Sequence, residues 1–464
     1  MGKTYEVVVI GAGPGGYVAA IRAAQLGLRV AVVEREQLGG VCLNWGCIPT
    51  KALLASASIY RNISHAAEFG ILAKNVSIDF SKVVQHSRTV ANKLAGGIQF
   101  LLNKNGVEVI KGHGKLLGAS KLEVHNEKQE RIEISAKHII LATGSRARAL
   151  PGIKLPDKYL WSYKEAMLPD ALPKSLLVVG SGAIGVEFAS FYNALGVQVT
   201  IVELFDRILR AEDEEIALAA HKSFEKQGMQ IFTQTTVKSA NETKGRVEVV
   251  LESKDGKTLK LAVDRIISAI GIQPNLENLG LEKTKVALDN GLIKTDPYLR
   301  TDEPGVYAIG DVTKGPWLAH KASEEAVVCV EKIAGRNPHP IERNNIPGCT
   351  YCHPQIASIG LSEEDAAARG KIKVGRFPLS ANGKAIAMGE TEGFVKVIFD
   401  VATGELLGAH MIGAEVTEMI QGFAIAKQLE GTELDLMHTI FPHPTISEAM
   451  KEAALDADKQ AIHI

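Results

Sequence analysis

Two cysteines and one distant histidine carry the chemistry that this sequence makes available. Cys42 and Cys47 fall within Gly39-Gly-Val-Cys42-Leu-Asn-Trp-Gly-Cys47-Ile-Pro-Thr-Lys51. Four residues separate them, a span that can close into a small disulfide ring. Pro49 suits the first turn of a helix, and a helix N-terminus beside a thiol favours the thiolate. A pair of this kind can serve redox chemistry. Taken alone, it also fits two inert buried thiols or half of a zinc site, although two more ligands do not occur at suitable spacing. His443 lies in Phe441-Pro-His443-Pro-Thr-Ile-Ser-Glu448. The flanking prolines restrict its backbone. An imidazole titrates near neutral pH and can take a thiol proton. Glu448 has two readings: the last residue of a Thr445-x-x-Glu448 capping box, or the group that orients the His443 ring. One carboxylate is not expected to serve both fully.

The elements that must position these groups come as one pattern used twice. Val7-Val-Val-Ile10 runs into Gly11-Ala-Gly13-Pro-Gly-Gly16, a helical stretch, and a second strand that ends on Glu34. Leu176-Leu-Val-Val179 runs into Gly180-Ser-Gly182-Ala-Ile-Gly185, a helical stretch, and a strand that ends on Glu203. In each copy the acid falls roughly 20 residues past the glycines, as a dinucleotide fingerprint requires. The first glycine makes the tight turn, the second admits a pyrophosphate, and the third lets helix and strand pack closely. The helix N-terminus supplies N–H groups and partial positive charge, and the acid accepts from ribose hydroxyls. One such loop is weak evidence; two complete copies are strong. A carboxylate at Glu203 repels a 2′-phosphate, so the second loop is expected to take NAD rather than NADP.

The repetition continues in His138-Ile-Ile-Leu-Ala-Thr-Gly144 and Arg265-Ile-Ile-Ser-Ala-Ile-Gly271. Alternating stretches such as Arg246-Val-Glu-Val-Val-Leu251 read as hairpins or meanders. Gly305-Val-Tyr-Ala-Ile-Gly-Asp311 looks like the first domain resuming, so the second is inserted into it. Beyond about residue 346 the nucleotide loops stop and strands alternate with amphipathic helices, which reads as a third, interface-type domain.

Composition sets the outer limits. A chain of 464 residues requires several domains. Its formal charge of −1 leaves no basic surplus for nucleic acid or an anionic membrane. No apolar stretch is long enough to span a bilayer, and the N-terminus has neither signal nor transit character. Five cysteines are an odd number for a secreted scaffold, so a cytoplasmic enzyme is expected. Cys349-Thr-Tyr-Cys352-His353 suggests a metal site superficially; its apolar setting favours core packing, and no metal is expected.

Together these motifs resemble the pyridine nucleotide–disulfide oxidoreductases of class I, along essentially the whole chain. Ala142-Thr-Gly144, Ala308-Ile-Gly-Asp311, Leu318-Ala-His-Lys321 and His443-Pro-Thr-Ile-Ser-Glu448 extend the match. The resemblance implies an α/β fold with two Rossmann-like domains and a C-terminal α+β dimerisation domain. It divides the chain into an FAD-binding part at 1–148, an inserted NAD-binding domain at 149–271, the rest of the FAD-binding and central region at 272–345, and an interface domain at 346–464. FAD is expected at Gly11, Gly13, Gly16 and Glu34, with Asp311 at its ribityl–phosphate region and backbone near Gly114 and Ala319 completing the site. Lys51 and Glu187 are expected as an ion pair near the flavin N5. NAD is expected at Gly180, Gly182, Gly185 and Glu203, with Val237 and Gly271 beside it. Cys42 is the implied interchange thiol, Cys47 the one nearer the flavin, His443 the base and Glu448 its orienter.

The implied activity is oxidation of protein-bound dihydrolipoyl groups with NAD+, in a homodimer serving the lipoyl domains of an E2 component or an H-protein. Glutathione reductase-like relatives use NADPH, against Glu203, and mercuric reductase-like relatives carry an extra C-terminal cysteine pair. A flavoprotein used only for docking or sensing would not need both Cys42–Cys47 and His443. Two departures from the family pattern stand out: Gly271-Ile-Gln-Pro-Asn275 replaces the commoner Gly-Arg-x-Pro-Asn, and Cys352 replaces a threonine.

Overall fold

The computed structural model describes residues 3–126, 128 and 130–464. They divide into two compact units. The first comprises Met1–Leu53, Asp79–Arg148 and Ile272–Ile341; the second comprises Leu54–Ile78, Ala149–Gly271 and Glu342–Ile464.

In the first unit, strand Lys3–Ile10 pairs in parallel with Val30–Glu34 on one side and with Arg131–Leu141 on the other. Val7 to Ile10 are four consecutive buried apolar residues, as a parallel strand covered on both faces requires. Val7 and Val9 enter one core, Val8 and Ile10 another, following the alternation of side chains along a strand. Glu108–Lys111 extends this sheet beyond Val30–Glu34, and Val306–Ala308 pairs in parallel with Arg131–Leu141. Helix Pro14–Gln25 starts at a proline and buries Gly15, Gly16, Ala19, Ala20 and Ala23; side chains this small let it lie close to the strands. An antiparallel hairpin, His113–Gly118 with Lys121–His125, joins the first half of Arg131–Leu141.

The second unit repeats the plan. Ser175–Val179, buried throughout, lies in parallel between Gln198–Val202 and Arg265–Ser268. Thr235–Thr243, Arg246–Ser253 and Thr258–Val263 form the antiparallel meander expected from their alternation. The same unit carries a five-stranded antiparallel sheet in the spatial order Gly348–Thr350, Gln355–Gly360, Leu406–Gly413, Phe394–Asp400, Ile372–Pro378. Helices Val416–Gln428 and Glu448–Ala457 bury their apolar faces against it. Glu448–Ala457 comes so close that a Cβ on Gly375 would stand 1.9 Å from Ala453 O. The fold is therefore α/β, with two dinucleotide-type parallel sheets and an α+β C-terminal region. Among the described residues no helix is long and apolar enough to cross a membrane.

Candidate active site

Each glycine loop is built for the same occupant. Gly11 and Gly180 have φ of +102° and +97°, and a Cβ would stand 2.2 Å from Ala142 O at one and 2.4 Å from Ala269 O at the other. A Cβ on Gly16 would meet Gly11 O at 1.9 Å, and one on Gly185 would meet Gly180 O at 2.1 Å. The first and third glycines are thus forced by the chain itself. The middle ones are not: Gly182 has nothing within 4 Å, and the nearest neighbour of Gly13 is Gly40 Cα at 4.0 Å. Gly13 and Gly182 also stand as N-caps without a side-chain bond, which leaves helix N–H groups for an anion. Both loops fit a dinucleotide pyrophosphate.

The two acids are fixed alike. Glu34 accepts from the Ala12 N–H at 2.7 Å on one oxygen and from the Glu36 N–H at 2.7 Å on the other. Glu203 accepts from the Ser181 N–H at 2.9 Å and the Ser181 hydroxyl at 2.5 Å on Oε2, and from the Phe205 N–H at 3.0 Å on Oε1. A carboxylate has about four lone-pair sites, so each retains capacity for ribose hydroxyls. A cavity of about 290 Å³ opens beside Glu34, lined also by Gln37, Leu38, Asn44, Asn92 and Lys111.

Cys42 lies in the short helix Gly40–Trp45, and Cys47 opens the helix Cys47–Ser64. They form a disulfide with Cα atoms 4.7 Å apart, inside the usual range. The inert-thiol and zinc readings of this pair fall. Its helix is pressed onto the first glycine loop, because a Cβ on Gly40 would come within 2.7 Å of Gly13 Cα. Asn44 donates to Leu38 O and Gly40 O at 2.9 Å each, and Arg88 reaches Asn44 O at 2.6 Å while lying over the Trp45 ring. Gly40, Asn44 and Arg88 brace the disulfide and were not picked out from sequence; the Gly39-Gly40 doublet was the one available signal. Lys51 follows Cys47 by one turn of the same helix. The other thiols differ. Cys329 is fully buried, which pushes its pKa far up. Cys352 is buried, with Sγ 3.1 Å from Pro354 O. Among the described residues no group of three His, Cys, Asp or Glu is placed to hold a metal.

The same unit supplies a wall near the loop. Gly114 is buried where a Cβ would meet Ile10 at 3.1 Å. Asp311 sits inside the short turn Gly310–Val312 and accepts from the Ser145 hydroxyl at 2.6 Å. The N-cap of that turn is Ile309, not Asp311. Burial pushes the Asp311 carboxyl up, while Ser145 and Lys321 oppose the rise. Ala319 is the first residue of helix Ala319–Ile333, whose N-cap Leu318 makes no side-chain bond.

In the second unit, Glu187 on helix Ala183–Ala194 is 6% exposed and accepts from the Tyr351 N–H at 2.9 Å, which excludes a solvated helix charge. Val237 sits where the Thr235–Thr243 register shifts, packed against a core that includes Leu177, Val179, Val249 and Leu251. Gly271 has φ +114° just past Arg265–Ser268.

His443 Nδ1 lies 2.9 Å from Glu448 Oε1, and Glu448 Oε2 accepts from the Thr445 N–H at 2.8 Å. The capping-box role is not filled: Ser447 is the N-cap of helix Glu448–Ala457, and the Thr445 hydroxyl donates to Pro442 O at 2.8 Å, so Glu448 serves the His443 ring and the Thr445 N–H. Burial works against the charge on Glu448, but the Thr445 N–H and His443 together hold its carboxyl below the usual range. The His443 side chain is 78% exposed, and with Nδ1 turned to Glu448 its Nε2 is the nitrogen placed to take a proton. One turn along the same helix, Glu452 holds His463 Nδ1 at 2.7 Å, a second histidine–carboxylate pair that sequence reasoning missed.

This arrangement supports comparison with known proteins. Residues 5–326 match the model of pyridine nucleotide-disulphide oxidoreductases, and residues 346–454 match the dimerisation domain of the same enzymes. The chain is 54% identical to a dihydrolipoyl dehydrogenase of Rhizobium etli, over 98% of each chain. It is 50% identical to a dihydrolipoyl dehydrogenase of Zymomonas mobilis over the full length of both. Among solved structures, LpdA from Mycobacterium tuberculosis superposes with a TM-score of 0.90 at 29% identity, covering 97% of this chain and 99% of that one. The HOCl-induced flavoprotein disulfide reductase RclA from Escherichia coli superposes with a TM-score of 0.86 at 28% identity, covering 97% and 99%. Paired glycine loops, a disulfide pressed onto the first of them and a carboxylate-held histidine converge with these matches: the chain belongs to the pyridine nucleotide-disulphide oxidoreductase family.

Proposed function

We propose that the protein oxidises dihydrolipoyl groups to the cyclic disulfide with NAD+ as acceptor, as an FAD-containing dihydrolipoyl dehydrogenase. The observation that carries this reading is the Cys42–Cys47 disulfide lying against the first glycine loop through Gly40 and Gly13. The dihydrolipoyl dehydrogenase relatives, matched over 98% and 100% of their lengths, support the substrate class.

The chain's own residues then act as follows. A substrate thiol gives its proton to His443 Nε2 and attacks Cys42 Sγ, and Cys47 leaves as a thiolate. The second substrate thiol attacks the sulfur bound to Cys42, which closes the cyclic disulfide and releases Cys42 as a thiol that takes up the second proton. Glu448 keeps the His443 ring oriented. FAD, held by Gly11, Gly13, Gly16, Glu34, Gly114, Asp311 and Ala319, would supply the route for the electron pair from the reduced cysteines to NAD+. Lys51 and Glu187 are assigned to the reactive end of the flavin. Gly180, Gly182, Gly185, Glu203, Val237 and Gly271 are assigned to NAD, within an inserted domain at 149–271.

The working unit is a homodimer joined through the region 346–464, in which His443 serves the disulfide of the second copy. The macromolecular substrate is a lipoyl domain of an E2 component or an H-protein, met in the cytoplasm. NADH formation from NAD+ and dihydrolipoamide tests the reading. Turnover that disappears in both Cys42→Ser and Cys47→Ser is expected; absence of turnover in the FAD-loaded unmodified protein overturns it.

A further inference from the structure

The motif Leu318-Ala-His-Lys321 contains a residue for which the reaction has no direct use. Lys321 and Glu325 stand one turn apart on helix Ala319–Ile333, with side chains 1% and 2% exposed, and pair at 2.8 Å. Two charges taken this far from water need further hydrogen bonds to be tolerated. Three such bonds run to a single turn. Glu325 Oε2 accepts from the Gly310 N–H at 2.7 Å. Lys321 Nζ donates to Gly310 O at 3.2 Å and to Thr313 Oγ1 at 3.0 Å. The Thr313 hydroxyl donates to the same Gly310 O at 2.8 Å, and the Trp317 indole N–H closes the loop on Thr313 O at 3.0 Å.

The gripped residue matters because of its neighbour. Gly310 has φ +75°, a left-handed conformation that is natural to glycine, and both its N–H and its C=O are held. Asp311 comes next, so the direction of its carboxylate follows from that turn. Ala319, the other flavin contact proposed in this stretch, begins the very helix that carries the pair. One rigid element thus fixes two contacts at once.

We infer that Lys321 and Glu325 are positioning residues for the flavin: as an ion pair they clamp the Gly310 turn so that Asp311 and the start of helix Ala319–Ile333 meet the cofactor in a fixed geometry. The inference rests on FAD being the occupant of the first glycine loop. It has independent support in Lys321's effect on Asp311, whose carboxyl is pushed up by burial and drawn back by Ser145 and by the lysine charge.

The double replacement Lys321→Met with Glu325→Leu tests it, because removing both members of a buried pair leaves no lone charge and is often tolerated. The apoprotein should keep its far-UV circular dichroism and melting temperature. It should bind FAD at least roughly tenfold more weakly by flavin fluorescence quenching, the scale seen when a residue orienting a ligand from outside is lost. The bound flavin's visible band should also lose its resolved shoulders. FAD affinity within about twofold of the unmodified protein, with an unchanged band, overturns the inference. If the double replacement does not fold, the near-isosteric Thr313→Val removes two bonds of the clamp: faster flavin release supports the inference and an unchanged release rate overturns it. If the unmodified protein binds no FAD, the cofactor reading fails first and the inference falls with it.

Discussion

Glu448 holds His443 on one carboxylate oxygen, at 2.9 Å from the ring Nδ1, and the Thr445 backbone N–H on the other, at 2.8 Å. A single side chain therefore fixes both the His443 ring and the loop that presents it.

Glu448→Gln keeps the shape and an acceptor but loses the negative charge beside the His443 ring. Its kcat/KM for dihydrolipoamide should fall by roughly 10- to 100-fold, as when general-base assistance is impaired. Glu448→Ala should also lose about 1 kcal/mol of stability with the Thr445 contact, read as a lower urea midpoint. The acid side of the stability curve follows from the sign of the shift. The folded carboxyl sits below its ordinary value, so its contribution is present above the unfolded glutamate value and is lost as pH falls through the folded one. Glu448→Gln should therefore lose less stability than the unmodified protein on acidification, measured by urea unfolding across that range.

Cofactor choice follows from Glu203, whose carboxylate is buried and tied to the glycine loop through Ser181. NAD+ should be preferred strongly over NADP+. Glu203→Ala with Leu204→Arg, a replacement at an exposed neighbour, should weaken that preference. Because the carboxylate also holds Ser181 and Phe205, a stability loss of about 1–3 kcal/mol should accompany the change. Equal kcat/KM with both nucleotides in the unmodified protein would contradict the assignment.

The cysteines should react unequally. After two-electron reduction, an alkylating reagent should modify Cys42 faster than Cys47, while buried Cys329 and Cys352 stay unlabelled. Peptide mapping of a short pulse reads the order, and faster labelling of Cys47 would reverse the two roles.

Active sites shared between two chains predict complementation. Cys47→Ser and His443→Gln chains, each inactive alone, should regain about half of the full activity in the mixed dimer, because one of its two sites then has both groups intact. A verified mixed dimer without activity would place His443 in the service of its own chain.

Much of this was legible because local rules and the global fold agree. The loops Gly11-Ala-Gly13-Pro-Gly-Gly16 and Gly180-Ser-Gly182-Ala-Ile-Gly185 announce strand, turn and helix within one stretch, and the structure forms them so. What stayed hidden depends on packing between distant segments. Gly40 is needed because it touches Gly13 across 27 residues. Lys321 and Glu325 lie in the core because Gly310 supplies partners from another stretch, a relation that no local pattern carries. The Thr445-x-x-Glu448 pattern suggests a capping box, but the helix starts later, with Ser447 as its N-cap, which leaves Glu448 to His443 and the Thr445 N–H.

The central claim is that electrons from the substrate pass through Cys42 and Cys47. Anaerobic addition of one equivalent of dihydrolipoamide to the FAD-loaded protein, without NAD+, tests it directly. The account predicts a two-electron-reduced species with two newly titratable thiols and long-wavelength thiolate–flavin charge-transfer absorbance, both absent from Cys47→Ser. Direct bleaching of the flavin, without new thiols and at an unchanged rate in Cys47→Ser, would contradict it.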